Sequence, residues 1–172
     1  MGRKAIWLAA ALAGAALLSS PALAADKASA VLKDAQGNQV GQATLVATPS
    51  GTLLTLELTA APPGAHGFHI HTVGKCEPPA FESAGGHFNP DQTKHGLMNA
   101  EGPHAGDMLN IHVPESSKLT VEVLNPLVTL SKESALLDED GSALVLHGDP
   151  DDYLSDPAGH AGGRIACGVI TP

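Results

Sequence analysis

The chain has 172 residues, 18 of them acidic and 9 basic, for a formal net charge of −9, and it contains two cysteines. The length suits one domain with a sizeable core. The acidic balance excludes a general attraction for nucleic acid or for anionic lipid.

The N-terminus has the layout of a secretory signal peptide. Arg3 and Lys4 give a positive start, and Ala5 to Leu18 is an uncharged apolar run. Ser19-Ser20-Pro21 breaks that run, and Ala22-Leu23-Ala24 supplies small residues at an A-x-A site. Cleavage is expected between Ala24 and Ala25, which divides the chain into a leader over 1–24 and one domain over 25–172. The apolar run is short for a membrane span of about 20 residues, and no later run is long enough to cross a bilayer. Both cysteines, Cys76 and Cys167, follow the leader. An even count in an exported chain points to one disulfide.

The domain reads as β. Leu54 to Thr59 alternates apolar and polar residues, the period of a half-buried strand, and Leu119 to Val123 does the same. Ala143 to His147 and Ile165 to Ile170 are further strand candidates. Turn signals separate the runs at Asp34 to Asn38, Pro49-Ser50-Gly51, Pro62-Pro63-Gly64 and Asp138 to Gly141. Several short strands with such punctuation predict an antiparallel sandwich or barrel. Two segments break the rhythm: Val73 to Ile111, rich in Gly, Pro, His and Asn, and Gly148 to Gly163, rich in Asp, Gly and Pro. Long loops without secondary structure of their own are uncommon unless they carry function.

The candidate chemistry lies in histidines, and all nine follow the leader. On a strand, His69 and His71 share a face, with Phe68 and Ile70 on the other. His87, His95 and His104, with Asp107, make a three-imidazole, one-carboxylate set of the kind a tetrahedral zinc accepts. Gly85, Gly86 and Gly106 would let backbone approach a compact site. His147 closes a strand and offers a further ligand to the His69/His71 pair. These are too many donors for one tetrahedral ion and suit two metals better.

Five blocks then carry a family resemblance. Gly64-Ala-His-Gly-Phe-His-Ile-His71, Ala84-Gly-Gly-His-Phe-Asn-Pro90, Lys94-His95-Gly96, Gly102-Pro-His-Ala-Gly-Asp107 and Gly163-Arg-Ile-Ala-Cys-Gly-Val-Ile170 closely resemble the Cu/Zn superoxide dismutases, in order and approximate spacing, between Ala28 and Ile170. The resemblance implies a Greek-key β-sandwich, or flattened eight-stranded barrel, with two long functional loops. It implies one copper held by His69, His71, His87 and His147. It implies one zinc held by His87, His95, His104 and Asp107, with His87 bridging the two. Arg164 matches the arginine beside the open copper position, and Asp151 the aspartate that hydrogen-bonds one copper-ligand and one zinc-ligand histidine. Cys76 and Cys167 match the disulfide that ties the ligand loop to the last strand. The implied activity is conversion of superoxide anion to O₂ and H₂O₂ by copper redox cycling, with His87 as proton carrier, in the periplasm, by a monomer or homodimer with no membrane attachment once the leader is removed.

Other residues read more plainly. His66 is expected to be structural, His112 to sit on the surface or in a loop, and Tyr153 to pack a loop. His160 either lines the active-site mouth or is solvated. The chain departs from the family in one respect: the 148–163 loop carries Asp149, Asp151, Asp152 and Asp156 but no lysine, with Leu154 in a place where lysine is common. Lys75 and Lys94 are the cations available to compensate. Two other functions use similar residues. A periplasmic copper or zinc buffer without turnover would not need Arg164. A zinc hydrolase would need a carboxylate base, and none follows His71 in Thr72-Val73-Gly74.

Overall fold

A computed structural model describes residues 27–131 and 135–172; the expected leader over 1–24 lies outside the described residues. Nine strands follow in chain order: β1 (Lys27–Asp34), β2 (Gln39–Thr48), β3 (Gly51–Leu58), β4 (Gly64–His66), β5 (Phe68–His71), β6 (Ile111–Val113), β7 (Leu119–Asn125), β8 (Ala143–His147) and β9 (Arg164–Val169). The one helical element described is a single 3₁₀ turn, Glu82–Ala84. Among the described residues no helix is long and apolar enough to cross a membrane.

Alternation builds these strands. β3 buries Thr52, Leu54, Leu56 and Leu58 and leaves the residues between them partly exposed. β1 buries Ala28, Ala30 and Leu32 in the same period of two. The β1–β2 turn is closed by Asp34, whose Oδ1 accepts the N–H groups of Gln36 (2.9 Å) and Asn38 (2.8 Å). Its Oδ2 accepts the Asn38 side-chain amide at 2.9 Å.

Seven strands form one curled antiparallel sheet, a half-barrel, in the order β5-β8-β9-β1-β2-β3-β7. The long returns that lay β9 beside β1 and β7 beside β3 give it Greek-key character. A separate two-stranded ribbon pairs β4 with β6. The strand count thus exceeds the expected eight because one run is split at Gly67. There the backbone leaves the ladder: its N–H donates to Asp149 O at 2.9 Å and its carbonyl accepts the His147 N–H at 2.9 Å. The core inside the sheet is aliphatic with two phenylalanines; Leu32, Leu45, Leu54, Leu56, Phe68, Ile70, Leu144 and Leu146 are all essentially inaccessible. Each such side chain contributes about 1.5–3 kcal/mol by leaving water.

The fold presents its functional residues at one end of this sheet. β8 is buried along its whole length and pairs with β5 on one side and β9 on the other. The far edge of β5 is covered by the long loop. Phe88 N–H donates to Ile70 O at 2.8 Å, Ile70 N–H to Gly106 O at 3.0 Å and Thr72 N–H to Gly86 O at 2.9 Å. A disulfide, Cys76–Cys167, fastens the same loop to β9.

Candidate metal centre

His69 and His71 lie on one face of β5, opposite Val145 and Ala143 of β8. His147 ends β8, opposite Arg164 at the start of β9, just past a register shift. The long loop brings His87 beside His71 and Asp107 beside His69 through isolated backbone bridges. That approach needs Gly106, where a Cβ would run into the Ile70 carbonyl and the Phe88 backbone. Gly86 has no such duty, since a Cβ there would meet open space.

Two donor groups result, each with ligand atoms within 4.8 Å of one another: His69, His71, His87 and His147; and His87, His95, His104 and Asp107. All are buried, and His87 belongs to both. The protein occupies one nitrogen of several rings. His69 Nε2 donates to Asp151 Oδ2 (2.8 Å), His95 Nε2 to Asp151 Oδ1 (3.0 Å) and His71 Nδ1 to Gly85 O (2.9 Å). His87 Nδ1 lies 2.7 Å from Asp107 Oδ1. The nitrogens left over are distinctive: His69 Nδ1, His87 Nε2, His95 Nδ1 and His104 Nδ1 are buried with no hydrogen-bond partner. Orphaned buried polar atoms are rare because each forfeits its hydration. His95 Nδ1 and His104 Nδ1 stand 3.1 and 3.3 Å from the Asp107 carboxylate, but off the line a hydrogen bond requires. Lone pairs converging in this way suit cations.

The electrostatics of the first group agree. Burial pushes His69 down to about 4 despite its bond to Asp151, and burial with the neighbouring His87 pushes His71 down to about 2. Burial and His69 take His147 to about 3. These rings are neutral at pH 7, the form that binds metal. His95 behaves oppositely: burial pulls it down, but Asp107 and Asp151 on either side outweigh burial and hold it at about 9. Burial would raise both Asp107 and Asp151; their histidine partners instead hold each well below the ordinary carboxylate range. Asp107 Oδ2 also accepts the N–H groups of Gly96 (2.9 Å) and His104 (3.0 Å).

A cavity of 390 Å³ reaches both groups, lined by His71, His87, His147 and Arg164, by His104 of the second group, and by Pro157 of the second loop. Arg164 is the one Lys or Arg among these lining residues. Its Nη1 and Nη2 donate to the carbonyls of Phe81 and Gly85, both at 2.6 Å.

The remaining sequence expectations sort clearly. His66 is buried with its two ring nitrogens at the carbonyls of His147 (2.8 Å) and Pro62 (2.9 Å), a bracing position. His112 is exposed on β6. His160 points to solvent beside Asp152, at 3.1 Å, and is not among the cavity's lining residues. Lys94 is paired with Asp156 at 3.3 Å, so its charge is partly compensated. Sequence reasoning missed Asn110, whose side chain clamps the Asp151 backbone through two 2.8 Å bonds while its own N–H donates to Tyr153 Oη at 2.7 Å. Its one signal was an asparagine ending the histidine-rich loop. The carbonyls that hold Arg164 leave no trace in residue types.

A half-barrel whose end carries two buried donor groups sharing one imidazole defines a histidine-rich β-protein with side chains that could hold metal ions. The family model described as copper/zinc superoxide dismutase (SODC) matches residues 39–170. The chain is 56% identical over 147 residues to a protein of Aquifex aeolicus named "Superoxide dismutase [Cu-Zn] 1", covering 84% of this chain and 87% of that one. Among solved structures, a SOD-like protein from Bacillus subtilis superposes with a TM-score of 0.79 at 39% identity, over 82% of this chain and 96% of that one. The Cu/Zn superoxide dismutase from Brucella abortus superposes with a TM-score of 0.71 at 27% identity, over 83% and 98%. The chain belongs to the Cu/Zn superoxide dismutase family.

Proposed function

We propose that the chain is an exported superoxide dismutase that binds one copper through His69, His71, His87 and His147 and one zinc through His87, His95, His104 and Asp107. The observation that carries this reading is the set of partnerless buried nitrogens, with His87 common to both groups. Four imidazoles suit copper, and three imidazoles with a carboxylate suit zinc. Bound copper would supply the one-electron couple by which one superoxide is oxidised to O₂ and a second reduced towards H₂O₂, while zinc would supply fixed positive charge.

The chain's own residues do the rest. Arg164 draws the small anion into the cavity and orients it, since a guanidinium offers directed N–H donors that stay charged. His87 Nε2, buried without a partner in a ring that lines the cavity, is the nitrogen that can take and return one proton when it is not holding copper, and water supplies the second proton that H₂O₂ requires. Asp151 fixes the orientation of His69 and His95 together, coupling the two groups. The leader over 1–24 directs the domain to the periplasm, where the Cys76–Cys167 disulfide is stable.

The test is metal content followed by superoxide consumption in the purified domain 25–172. One copper and one zinc per chain with rapid consumption is expected. The same metals without consumption would replace this reading with that of a metal-binding protein. Arg164→Ala should lower the rate and flatten its salt dependence, because charge attraction is screened over about 8–10 Å at moderate ionic strength.

A further inference from the structure

We infer that Phe81 is a positioning residue for Arg164: its buried ring holds the backbone carbonyl that aims the guanidinium into the cavity. This rests on the reading of Arg164 as the anion guide.

Phe81 sits ahead of the 3₁₀ turn with φ 54° and ψ 27°, in the left-handed region. Bulky L-residues avoid that region, so a structure that keeps one there must hold it by other contacts. The holding contacts are visible. The side chain is buried in a small cluster with Ala84, Ala143, Val145 and Cys167, and Ala35 and Cys76 pack against that cluster. The Phe81 N–H donates to Glu77 O at 3.0 Å, and the Phe81 carbonyl accepts the Ala84 N–H at 3.1 Å.

That conformation turns the Phe81 carbonyl to Arg164 Nη1, while Gly85, at the end of the same turn, takes Nη2. Gly85 O also accepts His71 Nδ1. One short turn therefore sets the cavity's cation and one ring of the first donor group. Arg164 is half-buried, lines the cavity and has no carboxylate partner among its hydrogen bonds. Two neutral carbonyls orient it without neutralising it, leaving its charge for an incoming anion.

The test uses the metal-loaded protein with two probes: azide as a small monovalent anion, and phenylglyoxal as a guanidinium reagent. Arg164 is the sole arginine after Arg3, so modification read by mass spectrometry is unambiguous. Phe81→Gly keeps the left-handed backbone accessible but removes the ring. It should retain copper and zinc, label about tenfold faster at Arg164 and bind azide about tenfold more weakly, the loss of one charge-assisted hydrogen bond. Phe81→Leu, which refills the cluster, should return both values most of the way.

If Phe81→Gly fails to fold, Phe81→Val against Phe81→Leu decides. Both are aliphatic, but the β-branch opposes a positive φ, so the Val variant should label faster. Labelling and azide affinity at the parent level in every variant would overturn the proposal. Arg164→Ala runs alongside. Unchanged azide affinity there would sink the anion-guiding role, while the Phe81 labelling rates would still decide the positioning.

Discussion

The two donor groups are supported in different ways. His69, His71 and His147 stand on β5 and β8, in the most completely buried part of the sheet, where backbone ladders fix them. His95, His104 and Asp107 stand on a loop that has no strand of its own between β5 and β6. What orders that loop is largely Asp107, which faces His87, His95 and His104 and takes two backbone N–H groups. Three rings of the first group are preformed on strands; the loop-borne group, and the shared His87 with it, is held by the Asp107 carboxylate. Loss of a single side chain should therefore damage the second far more than the first.

The sharpest break is Asp107→Ala. It removes a ligand and the loop's hydrogen-bond hub, so zinc affinity should fall by at least on the order of 100-fold while copper binding changes less. Chelator competition for each metal would show this, and equal losses for both would erase the contrast. Next is Asp151→Ala, which reaches both groups through His69 and His95. Its effect should be about 10–100-fold on metal affinity, now shared between the two metals.

Replacing Cys76 and Cys167 by Ser should cost about 2–5 kcal/mol of stability by denaturant titration. It should weaken retention of zinc more than copper, because the bridge anchors the loop. The smallest effect lies away from both groups, at the β1–β2 turn. Hydrogen bonds from the Asn38 side chain and the turn backbone hold the Asp34 carboxyl below its ordinary value of 3.8. A group lowered on folding stabilises fully above the unfolded value and stops doing so as pH falls through the folded one. Asp34→Ala should thus be slightly less stable than the parent at pH 7, with the gap closing in acid below pH 3.8.

Much of this was legible in the sequence, for a physical reason. β3 and β7 announce themselves because large aliphatic residues alternate with polar ones. β1 and β2 do not, because alanines at positions 28, 30 and 43 bury little area and mark the period weakly. β4 and β6, at three residues each, are shorter than any periodicity can reveal. The histidines and Asp107 were legible because metal ligation needs particular side chains at particular spacing. The supports of Arg164 and of Asp151 were not: carbonyls at Phe81 and Gly85 and a backbone clamp by Asn110 depend on where the chain turns.

The central claim is that the two groups are one centre joined at a single ring. Anomalous diffraction at the copper and zinc absorption edges from crystals of the metal-loaded protein tests it directly. The account predicts a copper peak and a zinc peak on opposite sides of the His87 imidazole, each within about 2.0–2.2 Å of one of its nitrogens. Two peaks with His87 bound to only one of them, or one mixed peak, would contradict it.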